Sequence, residues 1–444
     1  MEFALSPDTS RFLAREHRLL IGGEWVNPVS GARLDVINPA TETVAAQCAA
    51  AGPADEERAV DAARGAFDGG PWPALGPSER GELLWRLADA VEARAEVFTQ
   101  LEILDNGMPL TTAARHAASG AARMLRYYAG WPNKIAGLTI PADARPGQDA
   151  APLTYTRREP VGVAAQIIPW NYPLGMAAMK LGPALACGCA VILKPDEHTP
   201  LSALYLGELI RESGIPPGVV NIVPGTGELA GAALANHPRV DKVAFTGSTE
   251  TGRSILRAAA GNLKRVSLEL GGKSPFIVFP DADLDTVVDT ATHLGFFLQG
   301  QNCQCPARIY VHEAVYDSVL QRLVAAARAL PVGPGWDPAT RMGPLISAAQ
   351  LERVQNCIQA GLDDGAELLT GGERLPRTGY FMPPTVFAGG RPDMRIEREE
   401  IFGPVVVVQP FSGGVLREVA DMANASRYGL VASVWTRDLH VAHE

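Results

Sequence analysis

Two cysteines, Cys303 and Cys305, lie on either side of one glutamine in the stretch GQNCQCPARIYV, residues 300–311. A cysteine thiolate is a strong nucleophile, whereas a thiol buried in apolar surroundings is inert. Cys303 follows a Gly-Gln-Asn turn, and Cys305 already begins the segment that leads into an apolar strand. We therefore predict that Cys303 is the reactive sulfur and that Cys305 packs in the core.

A second C-x-C pair, Cys187 and Cys189, raises the question of a metal site with four cysteine ligands. Structural zinc sites usually have two to four residues between paired ligands, in small polar loops. Cys189 instead leads into the strand-like run CAVILK, and small buried cysteines are common in protein cores. We therefore expect no metal.

Two glycine-containing stretches could bind the phosphates of a dinucleotide. VVNIVPGTGELAG matches G-x-G-x-x-A through Gly225, Gly227 and Ala230, although a plain turn explains it equally well and the usual acidic residue about twenty positions later is missing. In KVAFTGSTETGRSIL, a strand runs through Gly247 and Ser248 into a helix, whose free amides suit a pyrophosphate. Ser248 would also serve simply as the cap of that helix.

A third candidate, AVILKPDEHTP, places Lys194 and Glu197 just after a strand. A lysine donates to hydroxyls there, and a carboxylate accepts from both hydroxyls of a ribose. Because a carboxylate would repel a ribose phosphate, this stretch predicts NAD as the cofactor, with NADP less favoured. The plain alternative is a solvated loop with ordinary charges.

The composition limits the classes of partner. The chain has 444 residues, 47% of them hydrophobic and 20% charged, which suits two or three globular domains. A net charge of −10 without a dense basic cluster argues against nucleic acid and against an anionic membrane surface. The first residues lack the apolar core of a signal peptide, and no run is long and apolar enough to span a bilayer. Six cysteines in a chain of this length are too sparse for a disulfide scaffold. We expect a cytoplasmic protein.

The elements that position these residues follow from apolar periodicity. Residues 54–68 and 77–105 predict amphipathic helices. From residue 161 onward, five short apolar strands alternate with helices, which predicts an α/β fold with a doubly wound parallel sheet. Ligands bind beyond the carboxyl ends of the strands in such sheets. The predicted strands are 161–168, 190–194, 219–223, 242–245 and 265–270.

Three local features complete the prediction. Thr199 is expected to cap a helix that begins at Pro200, and Gly214 suits a left-handed helix end. A Pro- and Gly-rich stretch with two β-like runs predicts a protruding hairpin at 140–157, which is either a surface loop or an arm that pairs with a partner. A second α/β unit follows from Pro275 to the end.

Taken together, these residues resemble the aldehyde dehydrogenase superfamily over nearly the whole chain. The resemblance implies a Rossmann-like NAD-binding domain (1–139 and 158–271), an oligomerisation hairpin (140–157) and a catalytic domain (272–444). It also implies NAD(P)-dependent oxidation of a small-molecule aldehyde to an acid. The motifs that carry it are GGEWV, INPATE, IIPWNYP, KPDEHTP, FTGSTETG, LELGGKSP, GQNC, MGPLIS, EEIFGPV and ANASRYGL.

The same resemblance implies a role for individual residues. The nucleophile falls on Cys303, the base that activates water on Glu269, and the donor to the oxyanion on Asn171. We expect Glu269 to be buried between its Gly-rich flanks. The residues implied in cofactor binding are Ile167, Ile168, Pro169, Trp170, Lys194, Glu197, Gly227, Gly247, Ser248, Leu270, Glu400 and Phe402.

The chain also departs from the family pattern. It ends at TRDLHVAHE, where members usually continue through a Gly-rich stretch and a last strand, so we expect a C-terminally truncated catalytic domain. A homodimer or homotetramer is expected if that tail is present in life. Leu298, Gly175 and Met179 suggest a roomy substrate tunnel for a medium or aromatic aldehyde.

Three other functions remain as alternatives at this point. Relatives that pass the acyl group to coenzyme A generally lack the glutamate that is present here as Glu269. A truncated, catalytically weak homologue could act as a binding or assembly protein. A thiol esterase would cleave esters without any nucleotide.

Overall fold

Two large β-sheets organise the computed structural model, which describes residues 3–147, 149–412 and 416–444. The strands are β1 (Leu19–Ile21), β2 (Glu24–Val26), β3 (Arg33–Asn38), β4 (Thr43–Ala49), β5 (Thr139–Ile140), β6 (Thr154–Tyr155), β7 (Val163–Ile167), β8 (Ala190–Lys194), β9 (Val220–Ile222), β10 (Lys242–Thr246), β11 (Arg265–Glu269), β12 (Pro275–Val278), β13 (Arg308–His312), β14 (Glu367–Thr370), β15 (Thr385–Ala388), β16 (Val405–Phe411) and β17 (Ser433–Trp435).

Helices alternate with these strands along the chain, and several of them cover the faces of the two large sheets. They are α1 (Pro7–Leu13), α2 (Pro53–Asp68), α3 (Pro77–Ala93), α4 (Ala95–Asp105), α5 (Leu110–His116), α6 (Ala118–Ala129), α7 (Pro173–Ala186), α8 (Leu201–Glu212), α9 (Ala232–Asn236), α10 (Thr249–Ala259), α11 (Leu284–Phe296), α12 (Tyr316–Ala329), α13 (Ala348–Asp363), α14 (Arg395–Arg398), α15 (Leu416–Asn424) and α16 (Leu439–His443). A π-helical turn at Gly227–Gly231 precedes α9.

The first sheet has the order β11-β10-β7-β8-β9-β1-β2. Its strands β7 to β11 run parallel, as the registers Val163↔Ala190 and Phe245↔Ile167 show, and the predicted doubly wound sheet is therefore confirmed. Strands β7 and β8 are buried along their whole length because helices cover both faces. The antiparallel hairpin β1–β2 extends the sheet beyond β9, and sequence reasoning missed it because each strand has only three residues.

The second sheet has the order β14-β15-β16-β13-β12-β17. It is parallel apart from the antiparallel edge strand β14. Its central strand β13 lies between β12 and β16 and follows the Cys303 loop. The thiol-bearing loop is therefore anchored to the middle of a buried sheet.

Two predictions about helix ends are wrong. The helix predicted at 77–105 is two helices, α3 and α4, because Arg94 has φ −109° and ψ 26°. Thr199 does not cap α8: its hydroxyl donates to the carbonyl of Trp170 at 3.4 Å, and the first amide of α8, that of Leu201, donates to Asp105 Oδ2 at 3.2 Å. The left-handed conformation predicted for Gly214 is confirmed, with φ +87°.

The predicted hairpin consists of β5 and β6, which pair antiparallel through Thr139↔Tyr155. Position 148 of this segment lies outside the described residues, as do residues 1–2 and 413–415 of the predicted domains. The division into domains at 139, 157 and 271 stays a prediction. Among the described residues, no helix is both long and apolar enough to cross a bilayer.

Candidate active site

A cleft of about 930 Å³ lies at the carboxyl ends of β7, β8 and β10, where ligands bind to parallel sheets of this kind. It is large enough for a dinucleotide-sized ligand. Nine of the residues predicted to bind the cofactor line it: Ile167, Ile168, Pro169, Trp170, Lys194, Glu197, Gly227, Gly247 and Ser248.

The donors and acceptors in this cleft fit a dinucleotide. Lys194 Nζ lies 2.9 Å from Glu197 Oε2, so a cation and a carboxylate stand side by side at the end of β8. Ser248 caps α10, since its hydroxyl accepts from the amide of Thr251 at 3.1 Å. The amino terminus of α10 therefore opens onto the cleft and favours an anionic group.

A second cavity of about 210 Å³ adjoins the cleft and contains the predicted nucleophile, Cys303, together with Asn171. Both cavities are lined by Trp170 and Gly247, among other residues, so one end of a ligand in the cleft would face the thiol. The remaining residues predicted to bind cofactor also line this smaller cavity: Leu270, Glu400 and Phe402.

The loop that carries Cys303 is held in an unusual backbone conformation. Leu298, Gln299 and Gly300 all have positive φ, at 49°, 61° and 67°. A Cβ added to Gly300 would lie 2.0 Å from the carbonyl oxygen of Gly403, so only glycine fits there. Non-glycine residues in this region cost on the order of 1–3 kcal/mol each, a strain that commonly occurs at functional sites.

The two sulfurs of this loop differ in their surroundings. The Cys303 thiol is partly exposed, whereas Cys305 is buried and its Sγ lies 3.4 Å from the carbonyl oxygen of Gly295. Burial raises the pKa of Cys305 to about 12. Burial, followed by the charges of Glu400 and Glu269, also raises the pKa of Cys303. The Cys303 thiol is therefore the accessible one, and it needs a group that removes its proton.

Asn171 lies between the end of β7 and the start of α7. It is buried, and its Nδ2 donates to the carbonyl of Gln301 at 3.0 Å. Gln301 in turn accepts the amide of Ile346 through its side chain at 3.0 Å. The Asn171 amide is therefore fixed against the backbone two residues before Cys303.

Glu269 is the last residue of β11, at the edge of the first sheet. The expectation that it is buried is wrong: its side chain is exposed because β11 has a neighbour on one side only. Its charge nevertheless acts on both Cys303 and Lys180. Lys180 is buried, and burial lowers its pKa to about 8, against the favourable charge of Glu269.

Two residues of α13 also line the smaller cavity and were missed by sequence reasoning. Gln350 Nε2 donates to the carbonyl of Phe402 at 2.7 Å, and Arg353 donates to the carbonyl of Glu400 at 2.8 Å. Phe402 has φ 58° and packs edge-on against Trp170 at 5.2 Å. The motif MGPLIS, which ends just before α13, was the only sequence signal near them.

The carboxyl end of α4 supports the same loops from behind. Asn106 donates to the carbonyl of Trp170 at 2.8 Å, and the amide of Leu174 donates to Glu102 Oε1 at 2.8 Å. Asp105 accepts from the start of α8, as described above. Burial raises the pKa of Glu102 to about 7 and that of Asp105 well above its usual range.

These buried carboxyls make a pH-dependent contribution to stability. The folded-state pKa of Glu102, about 7, exceeds the ~4.3 of an unfolded glutamate. Between pH ~4.3 and about 7, Glu102 is therefore protonated in the folded chain and ionised in the unfolded chain. Its contribution to the free energy of unfolding is full below pH ~4.3 and is lost as the pH rises through about 7. Glu102→Gln, which stays neutral and keeps an acceptor for Leu174, should stabilise the protein by about 2–3 kcal/mol near pH 8 and by little near pH 5. Melting temperatures at both pH values test this, with the exposed Glu96→Gln of the same helix as control, and an equal shift at both pH values would contradict it.

Comparison with known proteins adds to this geometry. The model of the family described as "Aldehyde dehydrogenase family" matches residues 25–444. The chain is 48% identical to the putative aldehyde dehydrogenase DhaS of Bacillus subtilis (97% of this chain, 86% of the relative) and 48% identical to retinal dehydrogenase 2 of Gallus gallus (99% and 84%). It superposes on the NAD⁺ complex of an aldehyde dehydrogenase from Bacillus cereus with a TM-score of 0.96 at 48% identity, over 100% of this chain and 89% of that one.

Proposed function

Because the chain belongs to the aldehyde dehydrogenase family and therefore oxidises an aldehyde to its acid with a nicotinamide cofactor, we propose that Cys303, Asn171 and Glu269 carry out the reaction and that the cofactor is NAD. One observation supports this most strongly. Cys303 and Asn171 line a single cavity that opens into the cleft at the carboxyl ends of the first sheet.

Cys303 acts first in this proposal. Its Sγ adds to the aldehyde carbon, the carbonyl oxygen becomes a tetrahedral oxyanion, and the thiol proton passes to Glu269, whose charge reaches the thiol. The amide of Asn171 and the backbone N–H of Cys303 stabilise the oxyanion, each by about 3 kcal/mol. Bound NAD supplies the acceptor for the hydride. A thioester on Cys303 remains.

Glu269 acts again in the release of the acid. Glu269 first releases the thiol proton to solvent, which reaches its exposed side chain. The carboxylate then takes a proton from water, the resulting hydroxide adds to the thioester carbon, and the Cys303 thiolate leaves. The exposure of Glu269 suits this step because water reaches the carboxylate directly.

The cofactor preference rests on the end of β8. Glu197 would accept the hydroxyls of the adenosine ribose, Lys194 would donate to one of them, and the amino terminus of α10 would hold the pyrophosphate. Glu400 lies in the smaller cavity, where it would accept from the second ribose. A carboxylate at position 197 disfavours a ribose phosphate.

Glu197→Ser should therefore lower the preference for NAD over NADP by about ten- to a hundredfold, because it removes both an acceptor for NAD and a repulsive charge for NADP. The ratio of kcat/KM for the two cofactors, followed by the absorbance of the reduced product, measures this. Glu212→Gln, an exposed carboxylate at the end of α8, is the control. An unchanged ratio in Glu197→Ser would contradict the assignment.

The test of the function itself is the formation of NADH with a panel of aliphatic and aromatic aldehydes. We expect NADH and acid in equal amounts. NAD binding without NADH formation from any aldehyde would contradict the proposed function.

We also propose that the enzyme is cytoplasmic and that it forms a homo-oligomer. All six cysteines are free, which supports a reducing, cytoplasmic environment. Large apolar side chains are exposed on and beside the hairpin, which supports a homodimer or homotetramer. These side chains are Leu138, Ile140, Leu153 and Tyr155.

A further inference from the structure

A row of rings leads from the neighbourhood of Cys303 to the surface. Tyr172 is half-buried and directly follows Asn171, which lines one cavity together with Cys303. The Tyr172 ring lies 6.4 Å from that of Phe297, which contacts the imidazoles of His116 at 5.5 Å and His293 at 5.3 Å. Both histidines are exposed. The row therefore runs from the residue next to Asn171 to solvent.

This row is separate from the cofactor cleft. Within the part of the chain that the structure describes, Tyr172, Phe297 and the two histidines line neither the 930 Å³ cleft nor the 210 Å³ cavity. Leu298 and Ile103 pack with Tyr172 and Phe297 in one apolar cluster. A molecule with an apolar or aromatic body could lie along this cluster and approach Cys303 without entering the cofactor cleft.

The outer end of the row is positively charged. Two arginines, Arg115 at the end of α5 and Arg123 on α6, act on His116. The pKa of His116 is lowered first by partial burial of its ring and then by the charges of Arg115, Arg123 and His293. Asp289, one turn before His293 on α11, is the nearest acid along that helix. Neither arginine forms an ion pair with a residue that the structure describes.

The charge of this cluster is opposite to the net charge of the chain, which is −10. Unpaired guanidinium groups beside imidazoles attract anions and offer N–H donors to carboxylate or phosphate oxygens. A cationic entrance on an acidic protein also concentrates anionic substrates locally and repels cationic ones. The rings of the row would thus bind the apolar body of a ligand, and the cationic end would bind an anionic group of the same ligand.

We propose that His116, His293, Arg115 and Arg123 recognise an anionic group at the far end of the aldehyde substrate, whose body packs along Phe297 and Tyr172. The substrate class is an aldehyde that carries a carboxylate or a phosphate on an aromatic or apolar spacer. This inference rests on the proposed function and specifies its substrate.

The test compares aldehydes that differ only in charge. The panel is 4-carboxybenzaldehyde, its neutral methyl ester, 4-formylphenyl phosphate and benzaldehyde, each with saturating NAD. We expect kcat/KM to favour at least one of the anionic aldehydes over the methyl ester by about tenfold at low ionic strength, and this preference to shrink as salt is added. Preference for the carboxylate alone, or for the phosphate alone, identifies the anionic group.

Two double variants test which side chains cause the preference for anionic aldehydes. Arg115→Gln with Arg123→Gln, and His116→Gln with His293→Gln, should each lower the ratio of anionic to ester kcat/KM by about three- to tenfold. Arg417→Gln removes one positive charge from an exposed position on α15 and should leave the ratio unchanged. Equal kcat/KM for the ester and both anionic aldehydes in the unaltered chain would overturn the proposal, and so would an undiminished ratio in both double variants.

A binding measurement separates this inference from the proposed function. If no aldehyde yields NADH, the proposed function fails, and calorimetric titration with benzene-1,4-dicarboxylate still tests the anion site. We expect binding that weakens in Arg115→Gln with Arg123→Gln and is unaffected in Arg417→Gln. Equal binding by all three proteins, or no binding by the unaltered chain, would overturn the anion site.

Discussion

Cys303→Ala should abolish aldehyde oxidation, with a fall in kcat of ~10⁴-fold or more, since no other thiol is among the described residues that line the two cavities. Alanine fills nearly the same space without the sulfur, so the cofactor cleft should still bind NAD. Steady-state NADH formation measures the fall, and NAD binding by fluorescence confirms that the variant is folded.

The neighbouring sulfur provides the matched control. Cys305 is buried, its pKa is raised to about 12, and its Sγ faces the carbonyl of Gly295. Cys305→Ala should therefore keep kcat within about threefold while it lowers stability by roughly 1 kcal/mol. Loss of turnover in Cys305→Ala together with full turnover in Cys303→Ala would show that Cys305 is the nucleophile and that Cys303 is not.

Glu269→Gln should reduce steady-state turnover by ~10²- to 10⁴-fold, since a carboxamide cannot take a proton from water. Thioester formation should suffer less than its hydrolysis, because a thiol, unlike water, also loses its proton readily to solvent when Glu269 is absent. Rapid mixing should therefore show a burst of about one NADH per active site, followed by a slow phase.

A surface carboxylate controls for the loss of charge. Glu212→Gln should behave like the unaltered chain, as it lies at the end of α8 and lines neither cavity. Turnover of Glu269→Gln at the unaltered rate would show that another group activates the water. If the burst rate and the steady-state rate fell by the same factor, Glu269 would act in thioester formation alone.

Local pattern was enough to predict the five parallel strands of the first sheet, β7 to β11, although not its β1–β2 hairpin. The apolar runs at 163–167 and 190–194 are buried on both faces, so they lack alternation and read clearly as central parallel strands. The carboxyl-end rule then placed Lys194 and Glu197 at the cleft, where the structure has them. The distinction between Cys303 and Cys305 followed from the same reasoning about burial.

Contacts between distant residues explain what sequence reasoning missed. The cap of α8 comes from Asp105, 96 positions before Leu201, so the adjacent Thr199 was a natural but wrong choice. Gln350 reaches the carbonyls of the loop after Glu400 from a helix that shows only ordinary amphipathic spacing. The exposure of Glu269 depends on which strand ends the sheet, and strand order is not encoded in the pattern of any single strand.

The central claim is a covalent intermediate on one sulfur, and mass spectrometry of acylated Glu269→Gln tests it most directly. The variant is mixed with NAD and an aldehyde, quenched in acid during the burst, digested and fragmented. Our account predicts that the peptide gains the mass of the acyl group and that fragmentation places it on Cys303. Acyl mass on Cys305, or NADH formation with neither sulfur modified, would contradict the account.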